Sequence, residues 1–159
     1  PPGTIDQSQP LRVGEQQVYR FEDLPVNTGL PASAGRKPGA TNFVELNPFP
    51  VTGRLLARGQ QRYTIYCAPC HGAIGDGNGI TKKIGAMAIV ANLHDKRIVE
   101  LADGDLFNTV SNGKNNMQGY APQIGVEDRW AIIAYLRALQ LSRLGSVDDL
   151  APEIRAKLN

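Results

Sequence analysis

Arg62-Tyr63-Thr64-Ile65-Tyr66-Cys67-Ala68-Pro69-Cys70-His71-Gly72 contains a Cys-x-x-Cys-His run, and that spacing is the attachment pattern of a covalently bound haem c. Two thiols so spaced can add across the two vinyl groups of one haem, which brings the adjacent imidazole of His71 beneath the iron. The chemistry is then centred on iron. A second axial ligand has to come from far downstream, and Met117 offers a thioether from Gly113-Lys114-Asn115-Asn116-Met117-Gln118-Gly119-Tyr120, a polar, glycine-flanked loop. With imidazole and thioether on its two faces the iron has little room for substrate, and thioether ligation raises its reduction potential. Such a centre moves electrons, so no catalytic residue is assigned and no independent catalytic activity is expected.

Other chemistries can use some of the same residues. A thioredoxin-like Cys-x-x-Cys sits between a strand and a helix, and no β-branched, alternating run precedes Cys67. Zinc would need Cys67, Cys70, His71 and His94 around one ion, with the neighbours Cys70 and His71 both converging on it. Met87, in Gly85-Ala86-Met87-Ala88-Ile89, is the competing thioether and is read as a packing residue. His94 would give a bis-histidine iron of lower potential, but a histidine beside Asp95 is more often a solvated or hydrogen-bonded side chain. An iron whose sixth position opens for gas or peroxide would make the chain a haem sensor or a peroxidase-like protein.

Length and composition suit one small domain with extensions. Of the 11 prolines in 159 residues, eight fall within residues 1–50, a stretch that cannot easily build a core of its own. The division expected is a proline-rich extended arm over 1–50, a haem domain over 51–142 and a tail over 143–159. A domain of about 90 residues buries a modest share of its surface, so the haem supplies much of the missing apolar interior, and the apoprotein should fold poorly. A net charge of +2 is too mild to argue for nucleic acid. No stretch approaches the roughly 20 apolar residues that cross a bilayer. Haem c is attached outside the bacterial cytoplasm, so Pro1 is read as a mature or truncated start; a lipid anchor would need a cysteine upstream of Cys67, and the given sequence has none.

Three helical signals frame the haem motif. From Thr52 to Tyr66, Leu55, Leu56, Gly59, Tyr63 and Tyr66 recur at three- and four-residue steps, with Thr52 as cap. A short helix is expected from Asp103, as capping residue, to Ser111, stopping at Asn112-Gly113. From about Glu127 to Leu141, Trp130, Ile133, Ala134, Leu136 and Leu139 trace an apolar stripe, with Glu127 and Asp128 in the first turn, where they suit the macrodipole. Gly59 lets the first helix approach the last closely, near Tyr135 and Leu139. Between them Gly72, Gly75, Gly77, Gly79 and Gly85 should let the backbone wrap the porphyrin edge, with Ile74, Ile84, Ile89, Leu93, Ile98 and Leu101 lining the pocket. Lys82, Lys83, Lys96, Arg97 and Lys114 can ring the exposed haem edge, or be ordinary solvated surface. A further short helix is suggested between Ser146 and Leu158, starting after Pro152.

Taken together, the glycine/aromatic first helix, the Cys67–His71 motif, the Met117 loop and the closing Tyr135-Leu136-Arg137-Ala138-Leu139 resemble class I cytochromes c. Pro48-Phe49-Pro50-Val51, Arg62 to Gly72, Gly75-Asp76-Gly77-Asn78-Gly79 and Val126 to Ser142 look like the monohaem cytochrome c subunit of bacterial alternative complex III. The resemblance covers roughly residues 48–142. It implies an all-α class I cytochrome c fold with a long irregular N-terminal arm and a short helical tail. It further implies haem thioethers at Cys67 and Cys70, iron ligands at His71 and Met117, and a Gly59/Tyr63/Trp130/Tyr135 helix contact. The family often has proline after the ligand methionine, where this chain has Gln118. By the same resemblance the chain is a one-electron carrier in a membrane quinol-oxidising respiratory complex, on the periplasmic side of the bacterial inner membrane. Its partners would be the other subunits, including a multihaem cytochrome, and a terminal oxidase or soluble electron acceptor. The proline-rich arm would then lie along neighbouring subunits. A free periplasmic cytochrome c shuttle is the nearest alternative.

Overall fold

The computed structural model describes residues 11–13, 16–18, 35–36, 42–144 and 151–155. Most of the expected arm therefore lies outside the described residues, as do 145–150 and 156–159 of the expected tail. Within the arm, β1 (Leu11–Val13) and β2 (Gln16–Val18) pair antiparallel, Leu11 opposite Val18.

The first long helix, α1 (Gly53–Tyr66), begins where the sequence predicts. Thr52 is extended, and its side-chain oxygen accepts from Leu55 N at 3.2 Å, satisfying one of the amides that every helix start leaves without a partner. The chain then passes through Cys67 into the single turn α2 (Ala68–His71), which Gly72 ends at φ 81°. Pro69 fits there because first-turn amides have no intrahelical acceptor to lose. Two more short turns, α3 (Ile80–Lys83) and α4 (Lys96–Val99), precede α5 (Asp103–Asn112). A small hairpin of β3 (Gly113–Lys114) and β4 (Met117–Gln118) leads toward the longest helix, α6 (Val126–Leu144), and α7 (Pro152–Arg155) lies near the end.

Asp103 does not cap α5 as expected. Ala102 takes the cap position without a side-chain bond, and the buried Asp103 carboxylate instead accepts from Asn47 N at 2.8 Å and Arg137 Nε at 2.7 Å. Partners distant in sequence have outcompeted the local cap. The end of α5 is as predicted: Gly113 turns the chain at φ 82°.

The apolar stripe on α6 is wider than its spacing suggests, because the helix is sandwiched. One side packs Trp130, Ile133 and Leu136 with Leu106 and Phe107 of α5, and the other packs Ile132 with Tyr63 and Ile124. Trp130 and Phe107 stack with centroids 4.4 Å apart. Each such large side chain contributes about 1.5–3 kcal/mol by burial. The charged Arg129 is also buried, its guanidinium 4.7 Å from the Phe107 centroid, so a polar position that the pattern assigns to solvent belongs to the interior.

Among the described elements the contact between α1 and α6 is the most extensive. Gly59 makes it possible: a Cβ there would fall inside the contact radius of Ala131 O and 2.9 Å from Tyr135 Cβ. Tyr63 and Tyr135 continue the seam, with ring centroids 5.5 Å apart. Arg58 forks onto both Asp128 oxygens at 2.6 and 2.9 Å, and Arg62 reaches the same carboxylate at 2.9 Å.

Residues 42–50 form a strap across α5 and α6. Val44 O accepts from Gly104 N at 3.0 Å and Glu45 O from Asp103 N at 3.2 Å, while Asn47 Nδ2 donates to Trp130 O at 2.9 Å. Val44 and Phe49 pack on the main core cluster.

Candidate haem site

Residues from nearly every element of the domain converge on one cavity of about 640 Å³, whose lining includes Cys67, Cys70, His71, Met117 and Tyr120. Its size falls within the ~300–1,000 Å³ of ordinary ligand pockets. Leu93, Ile98 and Leu101 come from the loop segment, Leu106 and Val110 from α5, and Ile132, Ile133 and Leu136 from α6. The walls are thus mostly apolar, with two thiols, an imidazole and two thioethers among them. That donor set suits a porphyrin with a soft-ligated iron, attached through sulfur.

Local hydrogen bonds prepare the motif residues. His71 Nδ1 lies 3.0 Å from Ala91 O, so Nδ1 carries the proton and donates, and Nε2 keeps its lone pair. Burial holds the His71 pKa below its ordinary value, only partly opposed by that carbonyl, which favours the neutral imidazole a metal needs. The Cys67 thiol is pushed up to about 12, mainly by burial and further by Cys70, so at neutral pH its sulfur sits uncharged in the apolar wall. Tyr63 donates from its hydroxyl to Gly72 O at 3.0 Å, tying α1 to the residue after the motif; its pKa is raised, chiefly by burial.

The glycine-rich loop does something other than what its sequence suggests. None of Gly72, Gly75, Gly77, Gly79 or Gly85 lines the cavity. The loop folds back on α2 and caps it: Gly77 N donates to His71 O at 2.8 Å and Gly79 N to Cys70 O at 3.0 Å, with Thr81 Oγ1 on Pro69 O at 3.2 Å. A one-turn helix leaves its carbonyls without intrahelical partners, and these donors supply them. Gly79 is needed for the approach, since a Cβ there would come within 2.6 Å of the Cys70 carbonyl carbon. Of the apolar residues expected in the pocket, Ile89, Leu93, Ile98 and Leu101 line it, whereas Ile74 and Ile84 are exposed and lie outside. Among the five basic residues, Arg97 and Lys114 reach the cavity wall and Lys82, Lys83 and Lys96 do not.

Met117 is carried by the hairpin β3–β4, in which Lys114 pairs with Met117 and Gly113 with Gln118. Asn115 takes the left-handed conformation at φ 54°, a role asparagine fills more readily than most residues. The chain just after β4 is bonded to the end of α5 through Tyr120 N to Val110 O at 2.8 Å and Ala121 N to Ser111 O at 3.2 Å. Ser111 Oγ donates to Phe107 O at 2.7 Å and accepts from Arg129, so a buried arginine braces the base of the Met117 hairpin. The sequence reading treats this stretch as a loop; the Asn115-Asn116 pair between two short polar segments is the signal for the tighter hairpin.

Both methionines of the chain line the cavity, but they stand in different surroundings. Met87 Sδ lies 3.6 Å from Cys70 Sγ. That contact with a neighbouring side chain accords with the packing role expected of Met87. His94 does not line the cavity; its Nε2 is 2.6 Å from Ile74 O, making it a strut between two loops. Among the described residues no three His, Cys, Asp or Glu side chains assemble around a metal-sized space, and the only sheets are two antiparallel strand pairs, so neither the zinc nor the thioredoxin-like arrangement is present there. Trp130 is core, fully buried against Phe107.

Residues 54–136, just over half of the chain, match the family model described as cytochrome c oxidase, cbb3-type, subunit III. Among solved structures, a reducing HAO-like protein complex of Kuenenia stuttgartiensis shares 23% identity with a TM-score of 0.51, the match covering 69% of this chain and 54% of that one. The present chain thus spans about half the length of that structure. Cytochrome cL of Hyphomicrobium denitrificans shares 22% identity with a TM-score of 0.50, over 84% of this chain and 77% of its own. At these identities the likeness is one of fold. No curated protein sequence matches the chain.

Proposed function

We propose, from the premise that this chain belongs to the cytochrome c family described on subunit III of cbb3-type cytochrome c oxidase, that Cys67 and Cys70 bind its haem and that His71 and Met117 are the two iron ligands. The chain is a cytochrome c electron carrier, and its cofactor is covalently bound haem c with its iron. When bound, that group supplies a single site which gains and loses one electron. The residues of the chain hold and shield it. Cys67 and Cys70 offer two sulfurs at the end of α1 and in α2, His71 offers Nε2 because Ala91 occupies the other ring nitrogen, and Met117 offers a soft sulfur from the β3–β4 hairpin. Leucines and isoleucines of α4, α5 and α6 exclude water, which favours the less charged form of the iron.

The observation that carries this reading is the convergence of those four side chains, 50 residues apart at the extremes of Cys67 and Met117, on one apolar cavity. It is tested by intact mass and an oxidised visible spectrum of natively expressed protein. One haem mass added, with a thioether-to-iron charge-transfer band in the red, is expected. Unmodified mass refutes the attachment, and rapid binding of cyanide or carbon monoxide without that band assigns an open sixth position instead.

In the cell, the chain serves as the monohaem cytochrome c subunit of a quinol-oxidising membrane assembly of the alternative complex III type, on the periplasmic face. It receives electrons from a multihaem cytochrome of that assembly and passes them to a terminal oxidase or a soluble carrier. The motif resemblance over residues 48–142 supports this reading. Among the described residues no helix is long and apolar enough to cross a membrane, which accords with attachment through partner subunits. Native purification from membranes with subunit identification is the test: co-migration with a multihaem cytochrome is expected, and recovery as a free monomer makes it a shuttle.

A further inference from the structure

One wall of the cavity is held from behind by two side chains of α6. Arg137 donates in three directions: Nε to Asp103 Oδ1 at 2.7 Å, Nη1 to Val99 O at 2.9 Å, and Nη2 to Leu101 O. Its Nη1 also meets Gln140 Oε1 at 2.8 Å, and the amide of Gln140, so oriented, donates to Leu93 O at 2.7 Å. The three carbonyls held in this way span the segment whose Leu93, Ile98 and Leu101 side chains form the wall. Leu93 N donates to Gly75 O at 2.8 Å, but the other backbone–backbone bonds of this segment are local turns, such as Val99 N to Asp95 O and Leu101 N to Ile98 O, which shape residues 95–101 without tying their backbone to another element. A single turn of helix leaves its last carbonyls orphaned, and Arg137 supplies donors to them from the opposite helix.

We propose that Arg137, assisted by Gln140, is a positioning residue that sets the reduction potential of the iron by holding this wall closed against water. The inference rests on the reading that the cavity takes haem. Loosening the wall admits water, raises the local dielectric and stabilises the more highly charged oxidised iron, so the potential falls. A small external ligand reaches the iron more easily for the same reason. The planar fork is what matters: lysine keeps the charge but presents one compact point and cannot span two carbonyls and a carboxylate.

The experiment uses the holoprotein with Arg137→Lys, Arg137→Met and Gln140→Ala, scored by covalent haem mass, reduction potential and imidazole affinity of the oxidised form. Both arginine variants should lower the potential and bind imidazole at least tenfold more tightly, and to similar extents, with Gln140→Ala shifted the same way but less. Unchanged potentials together with imidazole affinities within twofold of wild type in all three overturn the proposal. A normal Arg137→Lys beside a shifted Arg137→Met also overturns it, because charge rather than geometry would then be at work. If the arginine variants do not accumulate, Gln140→Ala, which releases the Leu93 carbonyl while Leu93 N stays on Gly75 O, reads the same wall. Wild-type protein lacking covalent haem would instead overturn the haem reading on which this one stands.

Discussion

Gly59→Ala pits helix propensity against packing, and the structure says which wins. Alanine in the middle of a 14-residue helix is worth about 1 kcal/mol over glycine. Against this, the added methyl would stand 2.9 Å from Tyr135 Cβ and 2.7 Å from the Ala131 carbonyl carbon, and closer still to Ala131 O. Two of these three atoms are backbone of α6, so no rotamer change relieves the clash, and the helices must separate. Overpacking of this kind costs about 1–3 kcal/mol and occasionally more, and a backbone obstacle puts it at the upper end. The net expectation is a loss of about 2 kcal/mol, which for a domain of this size lowers Tm by about 10 °C. Thermal unfolding of the holoprotein, followed by far-ultraviolet circular dichroism, measures it. A Tm equal to or above wild type would show that propensity prevails and that the α1–α6 seam is not as close as described. Because α1 runs directly into Cys67, the same displacement should broaden the haem absorption band.

The remaining expectations are smaller or more chemical. Met117→Ala should abolish the red thioether band and lower the potential, while Met87→Leu keeps both; loss of the band in the Met87 variant would exchange their roles. Tyr63→Phe removes one of the two donors to Gly72 O, Gly75 N remaining at 3.2 Å, and should lower the denaturant midpoint by the equivalent of about 0.5–1.5 kcal/mol; an unchanged midpoint would mean that water replaces the hydroxyl. Asp128→Asn breaks the contacts to Arg58 and Arg62, but Arg58 is 44% exposed, so the cost should stay below about 1 kcal/mol. It should shrink further in high salt, and a salt-independent loss would indicate that the carboxylate acts by packing.

Much of the site was readable along the chain. Cys67, Cys70 and His71 are neighbours, so the chemistry proposed for them rests on local spacing whatever the fold. Thr52 capped its helix and Gly113 closed another because each acts on amides or carbonyls within a few residues of itself. Gly59 was legible for a similar reason: a small residue on an aromatic-bearing helix face admits few explanations. The stripe on α6 was read too narrowly, since periodicity reports that a face is buried but not how many neighbours bury it.

What escaped the linear reading depends on segments meeting that are far apart in sequence. Nothing near Asp103 announces that Asn47 and Arg137 will claim its carboxylate, and nothing near Arg137 marks the carbonyls of Val99 and Leu101 as its partners. The glycine loop looks like a porphyrin wrapper until its amides are seen on Cys70 O and His71 O, and no spacing announces that Met87 will lie against Cys70 Sγ. Spacing and residue type carry covalent chemistry and helix boundaries because those interactions reach only a turn or so along the chain. Choosing among distant donors and acceptors is a competition settled by desolvation and geometry, and both come into being only when α1, α5 and α6 close on one another.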